Sequence, residues 1–317
     1  MNGSPATPSG QAADDSPLVV LVGPTAAGKT AAAIELAEIL RAEIVSADSR
    51  YLYRGLDIGT AKPTAAELAR VPHHLIDVTT PDQPWSLSQY QAAAYAAIED
   101  IRARGRLPLL VGGTGQYVRA LIEGWKAPPG APDGGQRAEL ERMLAAEGLP
   151  ALAQRLAALD PESAASVDLR NPRRVIRALE VVLTTGESFA AQRRKQPPPY
   201  RCLLLGLARP RPDLYARIDA RVDAMLTAGL VAEVERLVGL GYGWELPAMS
   251  ALGYRQIGEY LRGECDLAEA VVRIKRATRQ FVRHQANWFK PTDPLICWFP
   301  ARPGVVEEMA AYIRQAQ

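Results

Sequence analysis

Gly23-Pro24-Thr25-Ala26-Ala27-Gly28-Lys29-Thr30 follows an apolar run at residues 18–22 and precedes a helical pattern from about Lys29 to Leu40. It fits G-x-x-x-x-G-K-[ST], and a strand before it with a helix after it is the context in which that pattern makes a phosphate loop. Glycines let backbone N–H groups curl around phosphate oxygens, and the helix N-terminus adds partial positive charge. Lys29 supplies a full charge, and the Thr30 hydroxyl is placed to ligate Mg²⁺. The stretch from Gly23 to Thr30 therefore predicts a phosphate ligand. It does not by itself predict ATP.

Outward from this loop, strand patterns at residues 43–46, 75–78 and 108–111 alternate with helical patterns at 29–40 and 87–103. Strands alternating with helices predict parallel β-α-β units, here a P-loop NTPase-like three-layer α/β domain. The pattern changes after Gly124. Ala127-Pro128-Pro129-Gly130-Ala131-Pro132 and Gln196-Pro197-Pro198-Pro199 bracket a stretch, 136–190, that is helix-like without strand signals. Residues 202–207 then read as a strand returning to the sheet, and 267–289 as one long basic helix. The expected division is a flexible Pro/Ser/Gly/Ala-rich tail over 1–17, a core of 18–125 and 200–317 with C-terminal helices, and a helical insertion over 126–199.

The 317 residues are 48% hydrophobic and 23% charged, a globular composition rather than a disordered or collagen-like one. No apolar run approaches the roughly 20 residues of a membrane span, and no basic-then-apolar leader opens the chain. Three scattered cysteines (Cys202, Cys265, Cys297) and three histidines argue against a zinc site and a disulfide framework. They suit a reducing cytoplasm. The net charge of +2 hides an asymmetry: residues 170–211 carry ten Arg/Lys against two Glu, and 273–290 carry six and no acid. Such blocks mark either a polyanion site or solvated helix faces paired with acids elsewhere.

In a parallel sheet, ligands sit at the carboxyl ends of the strands. The second strand runs into Ser46-Ala47-Asp48-Ser49, and the later one into Gly112-Gly113-Thr114-Gly115. Asp48 could serve as a Mg²⁺ ligand, a general base or a turn cap, and Thr114 as a ligand contact or a loop hydrogen bond. Arg217 and Arg221 share a helix face. Either could reach a phosphate or pair with Asp213 or Asp219. His73-His74, without a third ligand at useful spacing, reads as packing and hydrogen bonding.

Together with Gly23–Thr30 and Ser46–Ser49, several further stretches carry a resemblance. They are Gly55-Leu56-Asp57-Ile58-Gly59-Thr60-Ala61-Lys62-Pro63, Pro72-His73-His74-Leu75-Ile76-Asp77, Val111-Gly112-Gly113-Thr114, Asn171-Pro172-Arg173-Arg174-Val175-Ile176-Arg177-Ala178-Leu179-Glu180, Gly253-Tyr254-Arg255-Gln256, and Thr278-Arg279-Gln280 with Trp288-Phe289. In this order, from residue 23 to about 289, the chain resembles the tRNA dimethylallyltransferase (tRNA isopentenyltransferase) family. The resemblance implies transfer of a dimethylallyl group from its diphosphate to N6 of the adenine 3′-adjacent to the anticodon in tRNA. It implies that Gly23, Pro24, Thr25, Ala26, Ala27, Gly28, Lys29, Thr30 and Arg221 hold the diphosphate, with Asp48 as general base and Thr114 assisting. Contacts to the anticodon stem-loop would come from Asp48, Ser49, Arg50 and Tyr51, from Arg173, Arg174, Val175, Ile176 and Arg177, and from Ser250, Gly253, Tyr254 and Arg255. At position 51 the chain departs from the Gln of many members. Tyrosine offers a ring and one hydroxyl in place of a bidentate amide.

The implied chemistry needs these parts. Pyrophosphate gathers negative charge as it leaves an allylic carbon, and Mg²⁺ on Thr30 with Lys29, Arg221 and the loop amides would stabilise that charge. The adenine amine is a poor nucleophile, and a carboxylate can take its proton as the new bond forms. Extruding the base costs less from a single-stranded loop than from duplex. A monomeric cytoplasmic enzyme is expected. A P-loop small-molecule kinase, a prenyltransferase of free adenine nucleotides and a non-catalytic RNA-binding module share parts of this pattern. The kinase has no need of two basic blocks, a mononucleotide enzyme no need of the insertion, and a binding module no need of Lys29, Asp48 and Thr114 together.

Overall fold

Leu18–Val22 is buried along its whole length, and its alternate side chains enter two different cores: Val19 and Leu21 one, Leu18, Val20 and Val22 the other. A strand with both faces covered is an inner strand of a three-layer fold. The computed structural model describes residues 17–125, 134–192 and 200–316. The tail expected over 1–17, Pro17 aside, lies outside the described residues, as do both Pro-rich breaker clusters and Arg193, Arg194 and Lys195.

The strands are β1 (Leu18–Val22), β2 (Ala42–Ser46), β3 (His73–His74), β4 (Leu107–Val111), β5 (Cys202–Ala208) and β6 (Ile296–Pro300). They form one sheet in the order β3-β2-β4-β1-β5-β6, and every neighbouring pair is parallel. The chain leaves β1 toward β2 on one side and β5 toward β6 on the other, so a crevice opens at the carboxyl end of β1. One face of the sheet packs helices Lys29–Leu40, Arg211–Thr227, Leu230–Gly239 and Val305–Ala316, and the other packs Leu87–Ala103 and Gly115–Ile122. Helix Leu87–Ala103 begins at the Ser86–Gln89 capping box and buries Tyr90, Ala94, Ile98 and Ile101 at helical spacing.

The strand expected at 75–78 is displaced to His73–His74. Leu75 and Asp77 adopt left-handed backbone (φ 63° and 55°), which turns the chain off the sheet edge after two residues. His73 Nδ1 lies 2.8 Å from the Val71 carbonyl and His74 Nε2 2.8 Å from Glu43, so the doublet is engaged in hydrogen bonding. Strand β6 had no counterpart in the pattern reading. It is an edge strand with mostly half-buried side chains.

Residues 134–192 are helical: Gly134–Leu159, broken at Gly148 ahead of Pro150, then Pro161–Ser166, Pro172–Thr185 and Phe189–Gln192. They share a separate apolar cluster that includes Leu140, Leu152, Leu156, Val175, Ile176 and Leu179. Asn171 starts the third of these helices, its side-chain oxygen accepting from the Arg173 and Arg174 N–H groups, with Pro172 in the first turn.

The Asp57-to-Pro63 stretch is shaped by two buried ionic groups. The Glu233 carboxylate accepts from the backbone N–H of Asp57, Ile58 and Gly59 at 3.1, 2.9 and 3.1 Å, and from the Tyr254 hydroxyl. Lys62 donates to Tyr53 O, Asp57 and Asp77. Gly59 is required here, because a Cβ would sit 2.5 Å from the Tyr254 ring. Glu233→Ala strands three amides and a hydroxyl in the interior. We expect it to lower unfolding free energy by about 2–4 kcal/mol in urea titration; an unchanged midpoint would remove this carboxylate from the fold's support.

Candidate active site

The loop after β1 turns on Gly23 and Gly28 at positive φ (149° and 106°), and a Cβ on Gly23 would lie 2.6 Å from the Leu207 carbonyl of β5. Lys29 reaches back along the loop and donates from Nζ to the Pro24 carbonyl at 2.9 Å. Its pKa falls to about 8 because burial strips water from the ammonium; Asp48 opposes that shift and Arg221 adds to it. Arg217 donates from Nε to the Ala26 carbonyl at 2.9 Å, so it braces the loop from outside. Asp219 is taken by Arg279.

Two strands away, Asp48 leaves the end of β2. Its Oδ1 accepts from the Arg50 N–H at 2.9 Å, so it does cap a turn, and it also faces the central cavity. Protein atoms crowd it, and burial raises its pKa above the usual aspartate value against the opposing pull of the Arg50 N–H, Lys29 and the Arg50 charge. Desolvation outweighs the nearby cations in direction. Thr114 unites its two readings as well. Its Oγ1 accepts from the Ser49 N–H at 3.1 Å, and the residue lines the cavity. Gly112 must be glycine, because a Cβ would lie 2.2 Å from the Ala47 carbonyl.

These groups meet in a cavity of about 410 Å³. Thr25, Asp48, Thr114 and Arg221 give it a polar side; Ile218, Val222, Met225, Ile274, Phe281 and Trp288 give it an apolar one. Arg221, on helix Arg211–Thr227, is close enough to the phosphate loop to add to the lowering of the Lys29 pKa. An anion bound there would meet two cations, a helix N-terminus and a hydroxyl. Asp48 lines the same space, where a carboxylate is able to accept a proton.

Several candidate RNA contacts sit elsewhere. The Val175 and Ile176 side chains are buried in the helical cluster because they occupy its apolar helix face; Arg173 and Arg174 of the same turn are exposed. Tyr254 is fully buried, its hydroxyl spent on Glu233, so its side chain cannot meet a ligand from outside. Tyr51 donates to the Ala61 carbonyl at 2.7 Å and lies beside Thr30, which points it at the phosphate loop rather than toward solvent. Ser49, Arg50, Ser250 and Gly253 line the cavity, and Arg255 is exposed. The basic blocks are partly neutralised: Arg273 pairs with Glu259 and Glu269, Lys275 with Asp223, Arg279 with Asp219, Arg170 with Asp168 and Arg177 with Glu180.

Two residues of the site went unremarked in the pattern reading. Glu233 holds the loop carrying Gly59 and Thr60, which line the cavity. Gln285 lies between the phosphate loop and the Gly113 carbonyl. Its signal was a polar residue recurring with Ile274, Thr278, Phe281 and Trp288 on one helix face. Among the described residues, no three His, Cys, Asp or Glu side chains gather as a metal cluster.

The profile of the IPP transferase family matches residues 51–292, and that of the Isopentenyl transferase family residues 16–81. A tRNA dimethylallyltransferase of Roseiflexus sp. (strain RS-1) is 54% identical over 297 residues, covering 94% of this chain and 97% of the relative. The crystal structure of the full-length tRNA isopentenylpyrophosphate transferase from Bacillus halodurans is 38% identical with a TM-score of 0.71, covering 95% of this chain and 96% of that one. A eukaryotic dimethylallyltransferase captured acting on tRNA is 25% identical with a TM-score of 0.79, covering 95% of this chain and 77% of that one.

Because burial lowers the Lys29 pKa to about 8, binding an anion that favours its charged form draws a proton onto it from solvent at higher pH. At pH 9 we expect inorganic pyrophosphate to take up close to one proton more on the native protein than on Lys29→Met. Calorimetry in buffers of different ionisation enthalpy measures the difference, in which the ligand's own titration cancels. Equal uptake would contradict the depressed pKa.

Proposed function

The chain belongs to the IPP transferase family, and from that premise we propose that it transfers the dimethylallyl group of dimethylallyl diphosphate to N6 of the adenine 3′-adjacent to the tRNA anticodon, releasing diphosphate. One observation carries the reading: Asp48 and Arg221 line a single cavity, with Lys29 buried close enough to both to have its pKa moved by them. A phosphate loop alone serves many reactions. A phosphate loop near a desolvated carboxylate, beside a cavity with apolar lining, suits transfer of an apolar group from a diphosphate to a weakly basic amine.

In the transfer, the allylic C–O bond breaks as the N6–C bond forms, and the N6 proton passes to Asp48. Burial makes Asp48 the stronger base, and proximity to Lys29 and Arg50 limits the rise. Lys29, Arg221 and the amides of residues 23–30 take the charge that accumulates on the leaving diphosphate, in a cavity where low dielectric strengthens their effect. The apolar side chains Ile218, Val222, Met225 and Phe281 offer the hydrocarbon tail a surface. Thr114 holds the Ser49 N–H and thereby the turn that carries Asp48.

The donor set suits Mg²⁺ brought in with the diphosphate: one hydroxyl at Thr30, no carboxylate cage among the described residues, and oxygens from phosphate and water to complete the shell. When bound, the ion would supply countercharge to the leaving group. For tRNA, the reading gives residues 126–199 the part of a separate insertion, with Arg173, Arg174 and Arg177 on phosphates. Arg50, Ser250 and Arg255 would guide the loop at the cavity mouth, and phosphate contacts would set register while the cavity selects the base. A monomer in the cytoplasm fits this task. Among the described residues, no helix is long and apolar enough to cross a membrane.

Asp48→Ala should lower turnover by about 10²–10⁴-fold with tRNA affinity within roughly 3-fold of native. Mass spectrometry of adenosines from tRNA incubated with enzyme and dimethylallyl diphosphate reads the first, filter binding the second; normal turnover would end the base assignment. Replacing Arg173 and Arg174 by Ala should cut the slope of log K against log salt by about 1 per arginine. An unchanged slope would take these residues off the RNA.

A further inference from the structure

Helix Leu267–Trp288 borders the cavity with one face, on which Ile274, Thr278, Phe281, Gln285 and Trp288 recur at spacings of four and three. Gln285 is the polar residue of that face drawn into the interior, at 4% exposure. Its Oε1 accepts from the Thr25 N–H at 2.8 Å, and its Nε2 donates to the Gly113 carbonyl at 3.1 Å. Thr25 N–H can only donate and Gly113 C=O can only accept, so the two partners together fix which way the amide points. A Cβ at Gly113 would stand 2.3 Å from that nitrogen, so the contact is as close as the backbone allows.

We propose that Gln285 is a positioning residue for the transfer, setting the separation between the loop that holds the diphosphate and the loop that carries Thr114. The inference rests on the prenyl-transfer reading above. The chemistry of that reading is divided among three strand ends: the phosphate loop follows β1, Asp48 follows β2, and Thr114 follows β4. Sheet hydrogen bonding registers the strands, and three backbone bonds carry it just past their ends: Gly112 N–H to Leu21 O at 3.2 Å, Ala47 N–H to Val111 O at 2.7 Å and Thr114 N–H to Ala47 O at 3.2 Å. Beyond that point the halves are joined by a chain of bonds, from Thr25 through Gln285 to Gly113, and from Thr114 Oγ1 to the Ser49 N–H beside Asp48. Reacting atoms must be held within roughly 3–3.5 Å, and a misplacement of about 1 Å can cost about 10²-fold. A hydrocarbon side chain of the same length would fill the space, yet it would release both loops and strand their polar groups.

Gln285→Glu gives the role a signature. Ionised, the introduced carboxyl still accepts from Thr25 but opposes the Gly113 carbonyl with a like partial charge. Protonated, it donates to Gly113 and restores both bonds, and burial favours that form. The charged and titratable groups around it are Asp48 and Arg50 after β2, Arg221 on helix Arg211–Thr227, Lys29 on the braced loop and His284 on its own helix. All are common to the native enzyme, so the ratio of variant to native single-turnover rates removes the part of their titration that the two enzymes share.

With tRNA and dimethylallyl diphosphate, we expect that ratio to be about 0.01 at pH 8.5 and to rise about tenfold by pH 6. Gln285→Met, close in size, should lose about 10–100-fold in kcat at every pH, with KM for tRNA changed by less than about 3-fold. It carries the test should the Glu variant fail to fold. A flat Glu ratio near 1, or a folded Met variant with native kcat, would overturn the positioning role. An inactive native enzyme would overturn the prenyl-transfer reading itself, which separates the two failures.

Discussion

The site depends on one constraint: β2, β4 and β1 lie side by side and run the same way. Parallel neighbours end at the same edge of a sheet, so the loops that follow them must crowd together above it. The phosphate loop, the Asp48 turn and the Gly112–Thr114 loop belong to segments far apart in sequence, yet they become one surface as soon as the strands register. The close approach of Gly112 to the Ala47 carbonyl is the physical trace of that crowding.

Crowding also sets the electrostatics. The same loss of water raises the Asp48 pKa and lowers that of Lys29, bringing an acid and an ammonium toward each other from opposite ends of the scale. Each is the other's partial remedy, since their attraction opposes both shifts. A cavity so arranged favours a reaction that delivers negative charge to one end and a proton to the other. The surrounding apolar side chains keep the dielectric low enough for these charges to matter.

Much of what looks like recognition sequence is framework. In the Asp57-to-Pro63 stretch, Lys62 is buried between two aspartates and Gly59 is pressed against Tyr254, with Glu233 gathering the amides. In the Asn171-to-Glu180 stretch, Asn171 and Pro172 begin a helix whose Val175 and Ile176 build its core and whose Arg173 and Arg174 remain outside. A family signature thus mixes residues left exposed or lining the cavity with residues that hold the first set still.

The amino-acid sequence by itself determined the strand–loop–helix at Gly23–Thr30, the parallel sheet, the helix at Leu87–Ala103 to the residue, and the nomination of Asp48, Thr114 and the pair Arg217 and Arg221 as candidates. Those features are local: a glycine pattern, a hydrophobic period and a capping residue act within a few positions. Tertiary structure alone decided that Arg217 braces the loop while Arg221 faces the cavity, that Tyr254 turns inward, and that β3 stops after His74. It also decided that Gln285, 260 residues beyond Thr25, is bonded to that residue's backbone. These outcomes turn on which side of an element meets which neighbour, and a hydrogen bond across such a distance has no periodicity along the chain to announce it.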